Sequence, residues 1–318
     1  MTRFRPVRSA LVVALVSATS LFVGGGTAHA AITPVGLGTA TPFAVRAGSG
    51  VSNVPTSAIT GDLGLSPATG AAYTGLTCAE VTGTVYSVDG LAGLACEVNN
   101  AGLMTTVEND ARTAFNAASA LPGATPIGPD LAGLSLVSGL YGFGAAATNL
   151  SGTLTLDAQG DPDAAWVFQA SSTLITSAAS TVAFSNLPPG VTAAEMACNV
   201  LWTVGSSATL ATTTSFVGTI LASADITVTT DVTVIGRLLA ANQGSGAGAV
   251  TLDSDTITVP TGCATLPAGS GGTPVTPPAG TPTAPPGTPT GTPPGTPTGA
   301  PPTAPPAPPV LAPPNLTG

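Results

Sequence analysis

Ala208-Thr-Leu-Ala-Thr-Thr, Ile226-Thr-Val-Thr-Thr-Asp and Val250-Thr-Leu-Asp-Ser-Asp are near-copies of one unit, and Ser172-Thr-Leu-Ile-Thr-Ser reads as a further copy before them. All lie within the stretch from Thr153 to Val259. Thr209 and Thr227 are 18 residues apart and Thr227 and Thr251 are 24 apart, the excess reading as an inserted loop from Asn242 to Gly248. Two of the copies continue into Phe216-Val-Gly-Thr-Ile-Leu-Ala and Val234-Ile-Gly-Arg-Leu-Leu-Ala. Self-similarity near 20 residues, without a long helical period, is the signature of a stacked β-solenoid. Threonine alternating with Val, Leu or Ile points aliphatic side chains inward and hydroxyls outward, and β-branched residues suit such a pleated surface.

Working outward, the two ends of the chain differ from this body. Residues 1–30 read as a secretory signal: Arg3, Arg5 and Arg8 start it, an apolar run from Ala10 to Val23 follows, and Ala28-His29-Ala30 is a small-X-small cleavage site. The mature chain is expected to start at Ala31 and to be extracellular, with no membrane insertion once the signal is removed. At the other end, Ala264 to Gly318 holds 19 of the 31 prolines and no charged side chain. Such a segment cannot bury a core and favours extended polyproline II. It reads as a disordered tail, a spacer or a stalk that suits contact with a cell wall or glycan. The folded domain is thus expected over residues 31–263.

Removing the signal removes the only histidine, His29, and the sequence has no lysine. Arg46, Arg112 and Arg237 then face 15 carboxylates, a formal charge of −12. Three cations cannot build a phosphate-tracking surface, which excludes nucleic acid as a partner. Catalysis by Ser-His-Asp, Cys-His, Schiff-base or P-loop chemistry has no residues to use. Asp253 and Asp255, which alternate and could share a face, and Asp161 and Asp163 around Pro162 are the carboxylate pairs that could serve a glycosidase or calcium. No cation accompanies either pair. The expectation is therefore no enzyme, no cofactor and no metal.

Cys78, Cys96, Cys198 and Cys263 form an even set in an exported chain and read as disulfides, with three possible connectivities. Proximity favours Cys78–Cys96, which leaves Cys198–Cys263. Glu97 to Leu121 is free of proline and carries Leu103, Val107, Ala111, Ala114, Phe115 and Ala118 at three- and four-residue steps, one apolar stripe of a helix. Asn99 or Asn100 would cap it and Pro122-Gly123 would stop it. Trp166, Phe168, Phe184 and Trp202 are expected to fill the core.

Five segments go further than periodicity. Leu37-Gly-Thr-Ala-x-Pro-Phe-Ala-Val, Ile59-Thr-Gly-Asp-Leu-Gly-Leu-Ser-Pro, Leu134-Ser-Leu-x-x-Gly-Leu-Tyr, Ala165-Trp-Val-Phe-Gln and Phe216-x-Gly-Thr-Ile-Leu-Ala, in this order over about residues 35 to 260, strongly resemble the ice-binding-like family of mostly secreted microbial proteins. The resemblance implies a mainly β fold: a discontinuous right-handed β-solenoid (β-helix) of triangular cross-section, with one long α-helix packed alongside. It also implies an ice crystal surface, or the ordered water on it, as the partner. The family's ice-binding face carries a loose Thr-Ala/Gly-X-Thr/Asn pattern. The nearest match is Thr230-Asp231-Val232-Thr233, with Asp231 where a small residue is expected.

The candidate face therefore comprises Thr176, Ser180, Thr212, Thr214, Thr230, Thr233, Ser254 and Thr256, Ser/Thr-rich but irregular and open to interruption by Asp231 and Asp255. Stacked strands repeat about 4.8 Å apart and stay flat. Threonine's stiff χ1 holds its hydroxyl and methyl on that grid with little entropy left to lose. The other class of function compatible with these residues is a cell-surface adhesin or structural module that uses the same fold without ice affinity.

Overall fold

Each pass of the chain lays down short strands that pair in parallel with the equivalent strands of the next pass, so that three ladders grow together. The computed structural model describes residues 31–144, 147–240, 248–264, 266–271 and 274–275, all within a unit that ends at Pro278. The expected signal segment, nearly all of the inserted loop and most of the Pro-rich tail lie outside the described residues.

The first ladder orders Thr125–Ile127, Gly139–Phe143, Trp166–Ala170, Val200–Val204, Ser215–Ala222, Thr233–Leu239, Phe43–Ala47, Asp62–Leu65, Val85–Ser87 and Glu97–Asn99. The second joins Ser135–Val137, Thr153–Asp157, Thr181–Ser185, the leading halves of Ser215–Ala222 and Thr233–Leu239, then Thr256–Thr258, Ala58–Thr60 and Val81–Thr82. The third is a seven-stranded sheet in the order Thr148–Leu150, Leu174–Thr176, Ala208–Leu210, Ile226–Val228, Ala249–Asp253, Gly50–Val54, Tyr73–Thr74.

In both the first and third ladders the earliest strands follow the latest. Val45 pairs with Leu238 and Arg46 with Leu239, and Val250 pairs with Val51. The chain begins its stack in the middle, and the passes before residue 100 extend one end of it.

Ser215–Ala222 and Thr233–Leu239 serve two ladders each. Ser215 is in register with Thr181, whereas Thr219 to Ala222 pair with Leu201 to Val204. The crossing falls at Gly218 (φ +110°), whose register partner is Gly236. A Cβ on Gly236 would sit 1.9 Å from the Gly218 carbonyl oxygen. Gly236 is there because two backbones nearly touch, and Gly218 because its φ is positive and Val200 lies against it.

One apolar cluster fills the interior of the passes and a second lies between the first ladder and the helix. Trp166, Phe168 and Trp202 are fully buried and Phe168 stacks on Trp202 with ring centroids 3.9 Å apart. Each indole N–H has a partner: Trp166 donates to the Leu136 carbonyl at 3.0 Å and Trp202 to that of Val217 at 3.1 Å, as buried indoles require. Phe184 is only half-buried, packed on Trp166.

The helix, α1 (Ala101–Ser119), starts at Asn100, whose side chain accepts the Leu103 N–H at 3.0 Å. Of the two expected caps, Asn99 and Asn100, the helix uses Asn100, and Glu97 to Asn99 form the edge strand paired with Val85–Ser87. Val107, Ala111, Ala114, Phe115 and Ala118 are buried as expected, and Met104 rather than Leu103 completes the stripe. Each large side chain so covered contributes about 1.5–3 kcal/mol. At the helix's far end Gln169 donates to the carbonyls of Ala118, Ser119 and Leu121, groups that a helix terminus leaves without partners. Arg46, fully buried, donates to the Ala240 and Ser66 carbonyls and pairs with Glu108 of α1 at 3.3 Å.

Disulfides join Cys78 to Cys96 and Cys198 to Cys263. The packed part runs past the expected boundary at residue 263. Gly36 donates to the Ser270 carbonyl, and Ala31–Ile32 pair antiparallel with Pro274–Val275.

Candidate functional site

The corner between the seven-stranded sheet and the second ladder is built the same way in four successive passes. Ala179, Thr213, Asp231 and Ser254 take left-handed backbone conformations, with φ of 58°, 58°, 60° and 58°. Each gives its N–H to a carbonyl of the adjacent pass: Ala179 to Thr212, Thr213 to Thr230, Asp231 to Asp253 and Ser254 to Val54. The left-handed residue turns the chain through the corner. The next residue turns inward (Ser180, Thr214, Val232, Asp255) and the one after turns outward (Thr181, Ser215, Thr233, Thr256).

Burial at this corner corrects the expected site. Thr176, Ser180 and Thr214 are 2%, 1% and 1% exposed, so none of them can reach a surface ligand. They hold the corner together from inside. Thr176 accepts the Ala211 N–H at 2.8 Å and shares a hydrogen bond with Thr214 at 2.9 Å, while Ser180 donates to the Leu150 and Ser177 carbonyls. The first repeat is also offset: Ile175, not Thr173, stands opposite Thr209, which makes Ile175 an exposed aliphatic and Thr176 a buried hydroxyl.

Asp255 is 1% exposed and lies beneath the face rather than across it. It accepts N–H bonds from Val232 and Asp253, so it shares no face with Asp253. Its own N–H goes to Ser57, which continues through Asn53 to Glu80, a polar chain running from pass to pass. Burial pushes the Asp255 carboxyl up to about 6, against the two N–H bonds. Burial also raises Glu80, but hydrogen bonds from Thr77, Ser57 and Asn53 outweigh it and leave that carboxyl below its usual range. Of the two aspartates expected to interrupt the face, only Asp231 is exposed.

Thr212, Thr230 and Ser254 sit on the corner itself with their hydroxyls engaged: Thr212 with Thr229 at 3.2 Å, Thr230 with the Asp253 carboxylate at 2.6 Å, Ser254 with the Pro55 carbonyl at 3.4 Å. Thr233 and Thr256 differ. They belong to an outward row on the second ladder, Thr153↔Thr181↔Ser215↔Thr233↔Thr256↔Ala58, in unbroken register. All of it is exposed except the half-exposed Thr181. Among the described residues none of these hydroxyls bonds to the protein, so each is free for water.

A second row, two residues on, runs Ser135↔Thr155↔Ala183 and then Val217↔Ile235↔Thr258↔Thr60↔Thr82. Neither row contains an ionisable side chain. The expected face takes Ser180 and Thr214, each one residue before the outward Thr181 and Ser215, although six-residue steps from Ile175 and Thr209 place the latter pair outward. Asp161 and Asp163 form a local turn in which Asp163 N–H meets the Asp161 carboxylate.

A mainly β scaffold of parallel ladders, displaying uncharged rows of unengaged hydroxyls, defines a class of surface-binding protein. The chain belongs to the ice-binding-like family, whose model matches residues 45–258. It is 43% identical over 223 residues to an ice-binding protein of Nostoc sp. (strain HG1), covering 70% of this chain and 72% of that protein. It is 34% identical to one of Flammulina populicola, covering 72% and 90%. Among solved structures it resembles the ice-binding protein of the Antarctic ascomycete Antarctomyces psychrotrophicus (35% identity, TM-score 0.59, 72% of this chain and 100% of that one). It also resembles a domain of Shewanella frigidimarina ice-binding protein 1 (27% identity, TM-score 0.62, 73% and 99%).

Proposed function

We propose that this protein adsorbs to ice through the second ladder, slowing crystal growth and recrystallisation, and that it does no catalysis. The observation that carries the reading is the register row Thr153↔Thr181↔Ser215↔Thr233↔Thr256, five unengaged hydroxyls with their methyl or methylene groups on a repeat of about 4.8 Å. Hydroxyls at fixed spacing hold water in fixed positions, while the methyls and the half-exposed Ile235 of the neighbouring row leave that water undisturbed. Charged groups would bind it in competing shells. The ordered layer joins the crystal lattice and the protein is held at the growth front. Because the passes are packed on rigid aromatic layers, little conformational entropy is lost on adsorption.

The same reading takes the ladders to be a discontinuous right-handed β-solenoid of triangular cross-section. Three parallel ladders per pass, the docking of Phe43–Ala47 on Thr233–Leu239 and the right-handed preference of parallel crossovers support it. Export through residues 1–30, a secreted location and a tail acting as a spacer complete the proposal.

The test is crystal-shape microscopy and recrystallisation inhibition on the purified protein beside Thr233→Tyr and Ser215→Tyr. Faceted crystals and suppressed coarsening with the parent, weakened at least several-fold in both variants at unchanged melting temperature, are expected. Round, freely coarsening crystals with the parent protein would sink the proposal.

A further inference from the structure

The second ladder is not the only place where the fold lines up hydroxyls. On the seven-stranded sheet the outward positions Thr209↔Thr227↔Thr251↔Ser52↔Thr74 are in continuous register over five strands. Thr209, Thr227 and Thr251 are half-exposed and Ser52 and Thr74 are exposed. Among the described residues none of the five side chains bonds to a protein group. The corner hydroxyls between the two faces are, by contrast, taken up by Thr229, Asp253 and backbone carbonyls. The two rows are therefore separate sets of free hydroxyls, divided by a strip whose hydroxyls are internally satisfied.

Resting on the reading of ice adsorption above, we infer that the seven-stranded sheet is a second, independent ice-binding face. Both rows take their spacing from the same stack of passes, so both carry the same strand repeat. Their surroundings differ. The row on the second ladder has an uncharged neighbour row, whereas the row on the seven-stranded sheet is one residue wide. It is flanked by Asp225, whose carboxylate holds the Ala249 N–H, and by Asp253, which stands opposite the exposed Val54. It also stops at Ile175, opposite Thr209. The second face is thus the weaker one and meets a different crystal plane, since it points away from a different side of the stack. Its activity emerges where the first face is blocked.

The test is fluorescence staining of a single-crystal ice hemisphere by labelled full-length protein, with recrystallisation inhibition alongside. Parent, Thr227→Tyr, Thr233→Tyr and the double variant are compared, and Thr251→Tyr is a second probe of the same row should Thr227→Tyr fold poorly. Thr233→Tyr should keep a residual inhibition at several-fold higher concentration and stain a reduced set of planes. Thr227→Tyr should lose the complementary planes, and the double variant should stain none. If Thr227→Tyr and Thr251→Tyr both match the parent in stained planes and in inhibition, and Thr233→Tyr is already as inert as the double variant, the second face is overturned while adsorption through the first stands. If the parent stains no plane, ice adsorption itself falls and the second face with it.

Discussion

Val232 gives its backbone N–H to the carboxylate of Asp255, 2.9 Å away on the neighbouring pass. Val232 has no polar side chain where Ser180 and Thr214 donate their hydroxyls to carbonyls, and at this pass an acid from the next one accepts the turn's N–H instead. Burial of that acid has a consequence in pH. Its carboxyl titrates near 6 when folded and near 3.9 when unfolded. Between about pH 4 and 6 the folded state holds a proton that the unfolded state has released, so stability falls as pH rises through this window and levels off above it. Asp255→Asn should remove that slope, worth roughly 1–3 kcal/mol. Thermal unfolding of both proteins from pH 4 to 7 checks this. An unchanged slope in the variant would contradict it.

Buried and exposed threonines of one corner should fail in opposite ways. Thr214→Val strips the partner of Thr176 and should cost about 1–2 kcal/mol in denaturant unfolding while leaving crystal shaping intact. Thr233→Val should change stability by less than about 0.5 kcal/mol and weaken recrystallisation inhibition.

Gly236→Ala should be among the most damaging single changes in the chain. The added methyl meets the backbone oxygen of Gly218 at 1.9 Å, and neither strand can yield without opening two ladders. A loss of about 3 kcal/mol or more is expected, read as a lowered melting temperature or failure to accumulate folded protein.

Helix docking depends on a buried cation. Arg46→Met leaves the carbonyls of Ala240 and Ser66 and the Glu108 carboxylate short of a donor, at a cost of about 3 kcal/mol. Glu108→Gln, at a half-buried position, should cost about 1 kcal/mol. Amide exchange along α1 should rise in the same order.

Each disulfide restrains the unfolded chain, over separations of 18 and 65 residues. Replacing Cys198 and Cys263 together by serine should cost about 4 kcal/mol, and the Cys78 and Cys96 pair about 3 kcal/mol. Chemical denaturation of the two double variants gives the comparison.

Much of this structure could be read from the sequence. Thr209, Thr227 and Thr251 align as their spacing requires, and the helix stripe from Val107 to Ala118 faces the ladder it was expected to cover. The site was less legible, for a local reason. The corner of every pass turns on one left-handed residue, and Ala179, Thr213 and Ser254 carry no mark of it; Asp231 alone is of a type enriched there. Adjacent hydroxyls at such a corner, Ser180 beside Thr181 and Thr214 beside Ser215, match in composition while one is buried and the other faces out. The first repeat slipped by two residues for a similar reason, because Ser172 to Ser177 matches its neighbours in composition while pairing through Ile175. Pairing of Val45 with Leu238 lies beyond any periodic reading, since no repeat connects them.

That pairing governs how the chain can be made and how it can change. Arg46 reaches its carbonyl partner Ala240 across 194 residues, so the first passes leave the ribosome long before the strand they rest on exists. Until then they present bare sheet edges, and completion waits on the last passes of the domain. The junction works as a keystone. A lineage that lengthens this stack cannot simply add passes before Phe43–Ala47 or after Ala249–Asp253, because those strands already pair in its middle. Growth must come from duplications within the chain, at the outer passes near residues 97 and 125.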